Sequence, residues 1–178
     1  MTMDQINQLK FPIGPFKADP NLSKSELDEM TNTIASAPTE YRKVIKGLSA
    51  EDLKKTYRDG GWNVQQLVNH VADMHLLHFF RMKRALTEPD YKEVTLVNVD
   101  GWAATPDGLS ASTEASLDMF ESIGKRFVHL IQSLNEKQHE ITYFHPLRKT
   151  TLNQKQAIAM SAWHVKHHLA HIKIALAR

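Results

Sequence analysis

Cysteine is absent from this 178-residue chain, which excludes disulfides, thiolate-ligated zinc, iron–sulfur clusters and a thiol nucleophile. Glycine and proline are scarce, 7 residues of each, so neither a collagen-like repeat nor a low-complexity linker organises it. No apolar run approaches the ~20 residues of a membrane helix, and the start, MTMDQINQLK, lacks the charged-then-apolar pattern of a secretion signal. An excess of one charge is missing too: 22 Lys and Arg against 20 Asp and Glu leave +2, without the basic surplus that marks nucleic-acid binding. There is no Gly-rich phosphate loop, no Walker-type lysine and no ordered Ser–His–Asp set. The expectation is a cytoplasmic protein with neither a nucleic-acid nor a membrane partner. What remains is an ordinary globular composition, 42% hydrophobic and 24% charged, with one excess: ten histidines.

Pro12, Pro15 and Pro20 predict that residues 1–22 form an extended arm, with Phe11, Ile13 and Phe16 fixing it to the body. From Ser23, the residues Leu27, Met30, Ile34, Ala37, Tyr41, Val44 and Leu48 recur at spacings of three and four, the stripe of an amphipathic helix. Pro38 should kink or split that helix. Asp59-Gly60-Gly61 is turn chemistry, after which Asn63 and Gln66 read as a capping box and Trp62 and Leu67 as a hydrophobic staple. The second helix carries Leu67, Val71, Met74, Leu77, His78, Met82 and Ala85 and stops before Pro89. Residues 87–111 hold no sustained period. At ~3.3 Å per residue they can run the length of a bundle and start a parallel helix. A third helix begins near Ser112, striped with Leu117, Phe120, Gly124, Phe127, Ile131 and Leu134. After a polar, irregular stretch over 136–150, Thr151 and Gln154 read as the capping box of a fourth helix, striped with Ile158, Ser161, Val165, His168, Ile172 and Ala175. Four such helices predict an all-α four-helix bundle, one domain over 1–178.

The histidines enter this pattern at telling places. His164 and His168 stand four residues apart, one turn above the other on a helix, a spacing at which two neutral imidazoles reach one divalent ion. His70 lies within the apolar stripe of the second helix and faces the same core if the two stripes pack together. A core position that would be better filled by leucine is costly for an unpaired imidazole. Three imidazoles plus water would form a metal site with an open position.

In order along the chain, Phe11-Pro12-Ile13-Gly14, Tyr57-Arg58-Asp59-Gly60-Gly61-Trp62, His70-Val71-Ala72-Asp73, Tyr143-Phe144-His145-Pro146 and Trp163-His164-Val165-Lys166-His167-His168-Leu169-Ala170-His171 resemble the DinB/YfiT-like superfamily, most of all its YfiT-like branch of metal-dependent hydrolases. The resemblance implies a bundle of up-down-down-up connectivity, which would account for the long crossover between helices two and three. It implies one divalent ion per chain, zinc or nickel, on His70, His164 and His168. It also implies a homodimer acting on a small molecule. Some members of that superfamily are thiol S-transferases, which makes transfer of a low-molecular-weight thiol the alternative to hydrolysis. A metal that merely staples two helices is a third reading, against which stand the open coordination positions, since structural sites are usually closed by four ligands.

Around the triad, Asp73 falls one turn after His70, where it could orient a ligating imidazole or activate water. Arg58 and His145 fall in loops that the resemblance puts at the open end of the bundle, suited to steering an anionic substrate. His171 reads as support behind the ligands, His75 and His78 as packing or dimer residues, His129 and His139 as surface groups, and Trp62 and Trp163 as core anchors. Leu76, Phe79 and Phe80 fall away from the core stripe and would serve a dimer contact.

Overall fold

The computed structural model describes residues 2–178. Four long helices carry it: α2 (Lys24–Ile45), α4 (Val64–Thr87), α7 (Thr113–Gln132) and α9 (Gln154–Leu176). Between them lie α1 (Met3–Lys10), α3 (Ala50–Lys54), α5 (Val99–Ala103), α6 (Pro106–Ser110), α8 (Glu136–His139) and a hairpin of β1 (Thr142–His145) and β2 (Thr150–Asn153). No helix is long and apolar enough to cross a membrane.

The connectivity can be read from which residues meet. Asn69 of α4 accepts a hydrogen bond from Ser116 of α7, His75 packs on Phe120, and Phe79 packs on Phe127. Both numbers rise together, so α4 and α7 are parallel. Arg42 of α2 pairs with Asp118 of α7, while Pro38 approaches Gly124, so α2 and α7 are antiparallel. His70 of α4 meets His168 and His78 meets Ser161, so α4 and α9 are antiparallel as well. The four therefore run up, down, down, up, as expected. Each long helix packs against two others, leaving α2 opposite α4 and α7 opposite α9. The stripes fill the centre: Ile34, Tyr41, Leu67, Val71, Phe120, Phe127, Ile158 and Ile172 are all buried.

Asn63 caps α4 as expected, with its Oδ1 accepting from the Gln66 amide at 2.8 Å and the Gln66 side chain returning to Asn63 N at 3.2 Å. The preceding turn needs both glycines. Gly60 has φ +65, and a Cβ on Gly61 would lie 2.9 Å from atoms of Arg58 and Tyr57.

Five expectations are corrected. The arm is not extended throughout: Thr2 and Gln5 form a capping box that nucleates α1, and only the proline-bearing residues that follow are extended. Proline governs just its own neighbourhood. Of the kink or split expected at Pro38, the split does not occur: α2 runs unbroken from Lys24 to Ile45 with the proline buried in the bundle. The crossover folds into α5 and α6, held to α4 by Asn69, whose amide donates to the carbonyls of Asp107 and Gly108. The stretch 136–150 is a short helix and a hairpin, with β1 also bridged in parallel to Glu93. The cap of α9 is Asn153 with Gln156, not Thr151 with Gln154. Thr151 belongs to β2, and Gln154 is fully buried, its amide donating to Ile141 O at 2.8 Å.

Candidate metal centre

The antiparallel packing of α4 on α9 brings the three expected imidazoles together. A ligating nitrogen from each of His70, His164 and His168 lies within 4.8 Å of the other two. The Nε2 atoms of His70 and His164 are 3.2 Å apart. That matches the ~3.3 Å edge of a tetrahedron built on nitrogen–metal bonds of ~2.0–2.1 Å. The rings sit in a wall of aromatics: Trp62 lies 4.5 Å from the His70 ring and 6.2 Å from that of His168. Burial, with the neighbouring histidines, lowers the His70 pKa to about 3 and holds His164 and His168 well below their ordinary value. All three are thus neutral across the physiological range, the state in which imidazole ligates.

The tautomer of His168 is fixed from behind. Leu9 O, in α1, can only accept, so His171 Nε2 donates to it at 3.0 Å. In a neutral ring this leaves His171 Nδ1 as an acceptor, 3.3 Å from His168 Nδ1. His168 Nδ1 then carries the proton, and its Nε2 lone pair is free for an ion. A backbone carbonyl of α1 therefore acts, through His171, on one ring of the triad. The nitrogens of His167, His168 and His171 also cluster, but this relay occupies both nitrogens of His171.

The triad opens on a cavity of about 450 Å³. His145 lines it, buried, with Nδ1 lacking any partner among the described residues, and burial lowers its pKa to about 4. Arg58 does not reach this space. It borders a smaller cavity of about 290 Å³ at the edge of His167, His168 and His171, donates to Asp59 O at 3.0 Å and lies over the Tyr57 ring. Asp73 is outside the cavity lining too. It makes no hydrogen bond among the described residues, and burial together with Asp107 raises its pKa to about 6. Trp62, Trp163 and His78 were expected in packing roles, yet all three line the cavity. Trp163 is held by its indole N–H donating to Gly14 O and by stacking on His167. His78 meets Ser161 Oγ at 3.1 Å and sits edge-on to His164.

Sequence reasoning missed Arg81 and Arg148, which also line the cavity. Arg81 is only 4% exposed, and an arginine at a core-facing position next to Leu77 and Met82 was the available signal. Arg148 had none, because the hairpin that brings it over the cavity was not foreseen. His129 is exposed as expected, His139 is half-buried, and His75 is buried between Phe120 and Phe127. Of the apolar dimer candidates, Leu76 and Phe80 are exposed, but Phe79 is buried against Phe127.

Inward-facing imidazoles on facing helices are how bundle proteins build metal centres in their cores. The chain belongs to the DinB superfamily, which it matches over residues 33–172. It is 38% identical over 172 residues to a Bacillus cereus protein named "Putative metal-dependent hydrolase", covering 94% of this chain and 95% of that one. A Bacillus pumilus protein of the same name is 35% identical over 167 residues, with 94% of each chain covered. Among solved structures, YfiT from Bacillus subtilis superposes with a TM-score of 0.89 at 29% identity, over 93% of this chain and 94% of that one. That protein is described as a probable metal-dependent hydrolase with an unusual four-helix bundle topology.

Proposed function

We propose that this chain is a metal-dependent hydrolase of a small molecule, with one zinc or nickel ion held by His70, His164 and His168. The observation that carries the reading is the convergence of three neutral imidazoles at a cavity: three ligands leave a coordination position open, as catalytic sites do and structural sites usually do not. Zinc and nickel both suit imidazole donors. The chemistry a bound divalent ion supplies is Lewis acidity, which makes water nucleophilic near neutral pH and polarises a carbonyl.

The chain's own residues do the rest. His171 keeps the His168 proton on Nδ1, and Trp62 covers the His70 and His168 rings against bulk water. Trp163, Met74 and Met160 give the cavity an apolar wall for the body of a substrate. His145 adds a polar ring to the same wall, its Nδ1 sealed from the cavity and without a partner among the described residues. Asp73 receives no step, since it does not line the cavity.

The test is turnover of a panel of small esters, amides and lactones by protein loaded with zinc or with nickel, beside His168→Ala. Hydrolysis that needs the metal and disappears in the variant is the expected result. A metal-loaded protein that hydrolyses none of them but joins a low-molecular-weight thiol to an electrophile would sink this reading in favour of transfer.

A further inference from the structure

The cavity over the triad has an unbalanced charge. Arg81 enters it from α4 and Arg148 from the turn after β1. Neither guanidinium has a carboxylate within ion-pair distance among the described residues, and no acidic residue lines the cavity. Of the other arginines, Arg42 faces three carboxylates, Arg84 pairs with Glu88 and Arg178 with Asp59, while Arg58 and Arg126 also lack a carboxylate among the described residues but line neither this cavity nor the buried core.

Arg81 is nearly sealed, 4% exposed, and a buried charge without a counter-charge is expensive. Its partial compensation is one carbonyl, Thr95 O, which accepts from Nε at 3.1 Å and Nη2 at 2.6 Å. Nη1 makes no hydrogen bond among the described residues. The residues near it that could supply negative charge, Tyr91 and Tyr143, are phenols, and burial pushes the Tyr143 pKa far up. Arg148 makes no hydrogen bond among the described residues either, and stacks on Phe16 at 5.3 Å, which presents its plane without neutralising it. His145, with its orphaned Nδ1, stands in the same lining.

We infer that this cavity takes a small molecule with an apolar body and one oxyanionic group, a carboxylate or a phosphate-like group, and that Arg81 and Arg148 bind that group while the triad meets the reacting end. The inference rests on the hydrolase reading for what happens at the metal, and it names the class of substrate. A planar guanidinium offers paired donors to an oxyanion, a recognition that an ammonium does not reproduce. The apolar contribution comes from the walls already named, with Leu96 and Leu147 at the mouth. Arg148, exposed, meets the anion first; Arg81, buried, fixes it.

Binding of benzoate, phenylphosphonate, benzamide and benzamidine to the full, zinc-loaded chain, followed by calorimetry and by Trp62/Trp163 fluorescence, tests this without any turnover. The wild type should prefer both anions to neutral benzamide by at least about tenfold, or ~1.4 kcal/mol, and should reject benzamidine. Arg148→Gln, at an exposed position where folding is not at stake, should remove most of that preference and leave benzamide binding unchanged. Arg81→Gln should remove the remainder, and Arg81→Lys should restore only part of it, with circular dichroism confirming the fold. Phenylphosphonate against benzoate ranks the two oxyanions. Benzamide bound as well as the anions, no measurable binding of either anion, or an anion preference untouched in Arg148→Gln would each overturn the inference. An anion preference in a protein that hydrolyses nothing would leave it standing and remove only the hydrolase reading.

Discussion

His171→Phe separates the metal centre from the element that orients it. The substitution keeps an aromatic ring to stack on Tyr57, whose centroid is 4.0 Å from that of His171, and deletes both ring nitrogens. Two bonds go with them: the 3.0 Å bond to Leu9 O and the 3.3 Å contact with His168 Nδ1. The first is a bond between neutral groups, worth ~1 kcal/mol of stability, and its loss should appear in metal-free protein. The second fixes the tautomer of a ligand, and loss of such a partner typically costs ~10–100-fold in metal affinity, or ~1.4–2.7 kcal/mol. His171→Gln is the informative companion. Its amide N–H can donate to Leu9 O while its carbonyl accepts from His168 Nδ1, so it should recover most of the affinity. Zinc affinity is measured by competition with a chromogenic chelator, and stability by urea unfolding of the chelator-treated protein. Wild-type zinc affinity in His171→Phe would refute the relay, as would a His171→Gln variant that falls equally far.

Three other outcomes follow from the same geometry. His168→Ala should abolish stoichiometric zinc or nickel by elemental analysis, and His129→Ala, at an exposed position of α7, should retain a full equivalent. His75 has neither ring nitrogen partnered among the described residues, and burial lowers its pKa to about 4 against ~6.5 when unfolded. Protonation of this site therefore costs the fold nothing above ~6.5 and destabilises it progressively as pH falls toward 4, by about 3 kcal/mol in all. His75→Leu should raise the unfolding midpoint at pH 7 and flatten its decline between pH 6.5 and 4; an unchanged slope would rule out His75 as the source. The homodimer implied by the family resemblance should sediment at twice the mass of the chain, and Phe80→Lys, at an exposed position, should convert it to monomer. A wild type that sediments only as monomer at micromolar concentration removes the dimer.

The legibility of the bundle and the opacity of its cavity have one physical cause. A helix repeats its environment every three to four residues, so Leu67, Val71 and Met74, or Ile158, Val165 and Ile172, declare a buried face locally. His70, His164 and His168 were readable because they interrupt such faces. The crossover direction was readable from length, since a connection spanning the bundle starts the next helix parallel to the last. By contrast, α1 depends on a two-residue cap, Thr2 with Gln5, in a segment whose prolines all follow it. The hairpin depends on Lys149 adopting φ +50 and on pairing with residues near Glu93, some fifty positions earlier. Neither leaves a period to detect.

That difference decides which residues can be assigned to the site from sequence. The proposed ligands on α4 and α9 inherit their positions from helix packing, so spacing suffices to propose them. Arg148 and His145 inherit theirs from the hairpin, and Arg81 is tied to Thr95 in the crossover. Arg58 looked equivalent to His145, since both are polar and both sit in a loop beside a helix end. Yet the Gly60–Gly61 turn directs Arg58 along Tyr57, to the far edge of His168, while β1 delivers His145 into the cavity itself. The half of the site proposed to hold the metal is thus set by periodic structure. The half that would choose a substrate is set by two aperiodic segments, so relatives with the same triad need not share a substrate: a hairpin of different length or sequence moves Arg148 and His145 without disturbing His70, His164 or His168. Exchanging residues 142–152 between this chain and a relative should accordingly transfer ligand preference while leaving metal stoichiometry at one per chain, and a graft that instead loses the metal would show that the two halves are not separable.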